Sequence, residues 1–198
     1  PGTRGVAGGL NDRQRAVVTE AIDVLRREGA TIVDPADIPS ILEADPKENL
    51  VSWGICSGSS DAKGRDDDCS VVFKYGMKRD FNAWLQSLGD KAPVKTLTEL
   101  REWNRANADK GTLKYGQARL DISDEMDVVA DRARFQADRA KDVRLTGANG
   151  IDAALKQHQL DALLFPGPNG AALAARPGYP SVIVPFGLVP APETGFPA

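Results

Sequence analysis

Apolar residues recur at helical spacing in the first clear segment, where Val18, Ala21, Ile22 and Leu25 fall on one stripe. Asn11 stands where an N-cap belongs, Gln14 completes a capping box, and Gly29 supplies a stop, so a helix is expected from Asp12 to Glu28. A β-branched run, Ala30 to Asp34, follows and ends at Pro35, which reads as a short strand. The pattern then weakens through Asp68, and residues 54–70 read as an irregular surface loop rich in Gly, Ser and Asp. Phe73, Met77, Trp84, Leu85 and Leu88 restore the helical period from Val71 to Leu88, with Gly89 as its end. Thr96 and Glu99 form a second capping-box pair opening a helix from Leu97 to about Asn107.

From Ser123 to Leu145 the narrow stripe of Met126, Ala130, Ala133, Ala137 and Ala140 predicts one long solvated helix, and Ile151 to Gln159 a shorter one. Leu160 to Phe165 and Ser181 to Pro185 are apolar runs closed by proline, the pattern of strands buried in a covered sheet. Helices alternating with strands indicate an α/β fold, part of a mixed sheet covered by helices, in a single partial domain over 1–198. Trp53, Trp84 and Trp103 are expected in the core or in helix packing.

Composition narrows the chemistry. The formal charge of −3 arises from 25 basic and 28 acidic residues spread along the chain, which leaves no basic face for nucleic acid. No apolar stretch reaches the roughly 18 residues that a bilayer span needs, so no membrane partner is expected. His158 is the single histidine, which excludes a multi-histidine zinc site; its place at a helix end suits an interaction with the helix dipole. Phosphate-cradling glycine loops and the Gly-x-Ser-x-Gly elbow are absent from the sequence.

Cys56 and Cys69 are spaced to close a surface loop by a disulfide rather than to ligate a metal, with free thiols the open alternative; a bridge would favour an oxidising, exported setting. Ser60 and Lys63 stand at the Ser-x-x-Lys spacing that some hydrolases use, but flanking glycines and Arg65, Asp66, Asp67 and Asp68 favour a solvated loop.

Five segments in order carry a resemblance. They are Val24 to Ala30 with Ile32 to Pro35; Phe73 to Leu85; Pro93 to Leu100; Gly150 to Leu155 with Leu160 to Pro166; and Gly178 to Pro185. Together they resemble the later part of amidase-signature enzymes, nearest to peptide-amidase-like bacterial members. The resemblance implies hydrolysis of carboxamides, on a small molecule or peptide amide, by a Ser, cis-Ser and Lys triad without metal or organic cofactor. In that family the triad lies upstream of the matching segments, so this chain is expected to be a middle-to-late portion with no catalytic residue of its own. The positions expected to face the substrate pocket are Pro166, Gly167, Gly178, Tyr179 and Pro180, at strand ends and a turn. A non-catalytic binding or scaffold protein of amidase-like framework is the alternative, and strand edges without partners would promote self-association.

Overall fold

A computed structural model of the chain describes residues 10–56 and 68–189. By its contacts the chain divides into two compact units, one formed by Glu43–Leu145 and the other by Pro1–Leu42 with Thr146–Ala198.

In the discontinuous unit, α1 spans Asp12–Arg27 and opens on the expected capping box. The Asn11 side chain accepts from Gln14 N at 2.9 Å, and Gln14 Oε1 accepts from Asn11 N at 3.0 Å, which satisfies two of the backbone donors a helix start leaves orphaned. Asn11→Ala is expected to cost about 1 kcal/mol, readable as lost helicity by far-ultraviolet dichroism. The stripe of α1 is not buried, however: no residue of the helix is buried, and Leu25 is exposed. A short helix α2 at Pro39–Leu42 places Ile38 and Ser40 in the interior.

The three runs expected as strands form no ladder. Ala30 to Asp34, Leu160 to Phe165 and Ser181 to Pro185 carry no strand assignment, and Val182, Ile183 and Val184 are 86%, 72% and 73% exposed. The physical reason is that a strand is stabilised by cross-strand partners rather than by its own residues. No run here has such a neighbour among the described residues.

The sheet that does form is elsewhere. In the Glu43–Leu145 unit, β1 (Gly54–Ile55) pairs in parallel with β2 (Cys69–Ser70), Gly54 opposite Cys69 and Ile55 opposite Ser70. Both strands lie within the stretch expected to be irregular throughout; residues 57–67 of that stretch are outside the described residues. With helices and one small sheet among the described residues, the structure is mostly helical there and compatible with an α/β class.

Helix α3 (Val72–Ser87) packs against α4 (Leu97–Ala106), α5 (Ala118–Asp124) and α6 (Arg132–Val143). Cys56, Val71, Tyr75 and Met126 make a buried cluster here, bordered by Cys69, Val128 and Phe135. The Tyr75 and Phe135 rings stack at 4.4 Å, with the Arg79 guanidinium 4.9 Å from the Phe135 centroid. Trp53 is buried, whereas Trp84 and Trp103 stand half exposed on α3 and α4, so of the two expected roles the core one is taken by Trp53. A ring on a helix flank keeps one face in water even when its other face covers neighbouring residues.

Thr96 caps α4 by accepting from Glu99 N at 3.1 Å. The Glu99 carboxylate reaches back one residue further than a capping box requires and accepts from Lys95 N.

The long helix expected over Ser123 to Leu145 is two helices. The backbone leaves the helix after Asp124 because Asp127 Oδ1 accepts from Val129 N and Ala130 N, while Asp131 Oδ2 accepts from Asp127 N. Aspartates at these offsets offer the backbone a local alternative to the helical ladder. After α6 the chain runs through a π-helical stretch, Arg144–Ile151, into α7 (Asp152–His158). Helix α8 covers Ala171–Ala175, preceded by a 3₁₀ turn at Gly167–Gly170.

One ion network locks α3, α4 and α5. Asp124 accepts from Thr98 Oγ1 at 2.8 Å and from Arg101, and lies 3.2 Å from Lys78 Nζ, while Arg101 Nε donates to Asp121 at 2.6 Å. Burial would raise the Asp124 carboxyl, but hydrogen bonds from Thr98 and Arg101 and the Lys78 charge outweigh it and hold it below the ordinary range. A carboxyl lowered on folding contributes stability above its unfolded value, and that contribution is lost as pH falls through the folded value. Thermal stability is therefore expected to fall below about pH 4, and Asp124→Asn to flatten this acid limb.

Candidate functional site

The five expected pocket positions flank α8 in sequence, Pro166 and Gly167 before it and Gly178, Tyr179 and Pro180 after it, and all five belong to the discontinuous unit. Pro166 enters the 3₁₀ turn with extended backbone, and Gly167 has φ +61°, a left-handed conformation that an L side chain rarely adopts. Three residues later, Gly170 is buried against the ring of Phe165, where an added Cβ would come within 2.3 Å. The backbone of this turn and an aromatic ring therefore pack directly on each other.

On the far side of α8, the N–H groups of Gly178 and Tyr179 both donate to Ala174 O, at 3.2 and 2.9 Å. This closes the helix, and Gly178 takes φ +90° there, in keeping with glycine's use at helix ends. The following turn rests on the start of α7. Pro177 Cβ lies 3.4 Å from the position a Cβ on Gly147 would occupy, and the Tyr179 hydroxyl donates to the Asp152 carboxylate. That hydrogen bond, followed by burial and the Asp152 charge, raises the Tyr179 phenol above its usual range, so it stays protonated. A phenol oxygen whose proton is engaged this way still offers lone pairs to a donor.

Tyr179 is thus held to α7 by Asp152 and Gly178 closes α8, while Pro166 and Gly167 lie on the other side of that short helix in sequence. A shallow groove on the surface runs along α1, lined by its side chains between Asp12 and Arg27, and contains none of the five. His158 closes α7 at its dipole-favoured end, beside Lys156, with its Nε2 buried and no hydrogen-bond partner among the described residues. Ser60 and Lys63 lie outside the described residues.

A residue that the sequence pattern did not single out is Asp152, which orients Tyr179 from 27 positions away. Its own segment, Gly150 to Leu155, carried the resemblance but gave no sign of a polar partner.

A further polar centre lies in the Glu43–Leu145 unit, around a disulfide joining Cys56 and Cys69. Asp142 is buried and accepts from Trp53 Nε1 at 2.9 Å and Ser70 Oγ at 2.7 Å. Asp138 accepts from Val71 N at 3.0 Å. Lys141 Nζ sits 3.7 Å from the Trp53 ring centroid. Burial raises the Asp138 carboxyl, against the Val71 N–H and the Arg134 charge. Ser70 is fully buried and its hydroxyl is committed to Asp142, so it is placed to lock structure rather than to attack a substrate.

Among known proteins, the chain is 25% identical over 187 residues to a protein of Arabidopsis thaliana named a probable amidase. The alignment covers 94% of this chain but 32% of that relative, so the chain spans about a third of the length of the curated relative it matches. No family model matches the sequence, and no solved structure matches it.

Proposed function

We propose that this chain is part of a carboxamide-hydrolysing amidase, one that cleaves C–N bonds to carboxylate and ammonia, with its catalytic groups supplied from outside these residues. The observation that carries the reading is the similarity along nearly the whole chain to a probable amidase. The order of the five segments quoted above points the same way. On this reading the Pro166 and Gly167 turn and the Gly178 to Pro180 turn line the substrate side. Tyr179, its proton held by Asp152, accepts a hydrogen bond from the amide nitrogen of a bound carboxamide. Peptides with amidated C-termini are the finer substrate class, following the peptide-amidase resemblance.

Titrating acetamide, benzamide and an amidated dipeptide into the isotope-labelled chain tests this. Backbone amide resonances of Gly167, Gly178 and Tyr179 are expected to move together, and Tyr179→Phe to weaken binding about fivefold, the scale of one neutral hydrogen bond. Resonance changes confined to other surfaces, or none at millimolar ligand, would remove the pocket assignment. Ammonia release by the chain alone is expected to be nil. Release abolished by Ser60→Ala would replace this reading with an independent Ser60 and Lys63 hydrolase.

The exposed apolar run Val182 to Leu188 belongs to the same proposal, since unladdered apolar backbone promotes association. Sedimentation velocity is expected to show concentration-dependent association that Ile183→Lys reduces.

A further inference from the structure

The polar contacts of the Glu43–Leu145 unit tie its two ends together. Arg144 forms a two-pronged ion pair with Glu48, one contact at 3.0 Å, and Trp53 donates to Asp142 across 89 positions of sequence. Lys141 stacks on Trp53, and the disulfide and the short parallel pair join Gly54–Cys56 to Cys69–Ser70. The core cluster, the aromatic stack and the Asp124 network all lie within this one continuous segment.

The other unit is made from two stretches, and one of the contacts between them is Val17 against Gly187, where an added Cβ would come within 2.9 Å. Bringing those stretches together in an unfolded chain means closing a loop of the whole intervening segment, at an entropic cost that a folded insert with clasped ends has already met. Its helix α1 buries no residue, and its apolar runs form no ladder. Few buried contacts mark a region that opens at low free energy.

We propose that Glu43–Leu145 is a separate cooperative unit whose clasp organises the flanking stretches, so that the flanks open while it stays folded and not the reverse. Dependence runs one way: loss of the clasp disorganises the flanks, whereas damage to the flanks leaves the clasped unit intact.

All three tryptophans, Trp53, Trp84 and Trp103, lie in the clasped unit, so tryptophan fluorescence of the full chain reports that unit alone. Hydrogen exchange by mass spectrometry on the full chain, at increasing urea, reads both units in one sample. Amides of α3 to α6 are expected to exchange at least about tenfold more slowly than those of α1 and α7. Gly187→Ala is expected to speed exchange in α1 and leave the tryptophan transition where it was, while Asp142→Ala shifts the tryptophan transition to lower urea and speeds exchange in both units. A single shared exchange rate for all protected helices, or a tryptophan transition displaced by Gly187→Ala as far as by Asp142→Ala, would overturn the proposal.

Discussion

Replacing Cys56 and Cys69 together by alanine is expected to destabilise the Glu43–Leu145 unit by about 3 kcal/mol, the chain-entropy value for a loop of this length. The two cysteines are 13 positions apart, and their bond restricts the unfolded chain far more than the folded one, in which β1 and β2 are already paired. Alanine is the right replacement because Cys56 is 1% exposed within an apolar cluster, where a serine hydroxyl would add an unrelated burial cost. For a unit of this size the loss corresponds to a thermal midpoint lower by on the order of 15 °C. Urea unfolding followed by tryptophan fluorescence measures it directly. Treating the unaltered protein with a reductant should bring its midpoint to that of the variant, and an unchanged midpoint in both would show that the bridge contributes nothing to stability.

Asp142→Ala ranks beside it, with an expected cost of about 3 kcal/mol, because it leaves two buried donors without their acceptor. Trp53 Nε1 and Ser70 Oγ converge on the two oxygens of this one carboxylate, from positions on either side of the disulfide loop. Asp142→Asn keeps one acceptor and turns an amide N–H toward the other donor, so an intermediate loss is expected. Ser70→Ala should cost less, about 1 to 2 kcal/mol, since it removes a donor and leaves Asp142 bonded to Trp53. In a double-mutant cycle the two changes are expected to be less than additive, because the Ser70 bond cannot be lost twice. Additive losses would mean that the two side chains act independently and that the clasp is not one network.

Both expectations bear on the functional reading only through the scaffold. The proposed substrate side lies in the other unit, where Tyr179 and Asp152 meet, so the reading can fail while both stability predictions hold.

Local chemistry was legible where one residue and its near neighbours settle the outcome. The Asn11 and Gln14 capping box, the Thr96 cap and the helical periods of α1, α3 and α4 needed nothing more than side chains within a turn of each other. Glycine at 167 and 178 coincides with left-handed backbone for the same reason, a steric rule internal to one residue. The break between α5 and α6 was also local, set by Asp127 and Asp131. It went unread because the alanine stripe continues straight through it.

What depended on a second, distant stretch of chain was decided by the tertiary structure alone. An apolar run such as Ser181 to Pro185 has the composition of a strand, but a ladder exists only when another backbone lies beside it. Spacing left Cys56 and Cys69 free to pair or not; the register that sets Gly54 opposite Cys69 brings their backbones to 5.1 Å between Cα atoms, within bonding reach. Asp142 is one of many charged positions on a helix that reads as solvated, and it is buried because Trp53 and Ser70 arrive from 89 and 72 positions away. Hydrophobic period and caps are properties of neighbouring residues, so they determined the helices. Burial, pairing and the meeting of Tyr179 with Asp152 are properties of contacts, and contacts are made only when the chain folds back on itself.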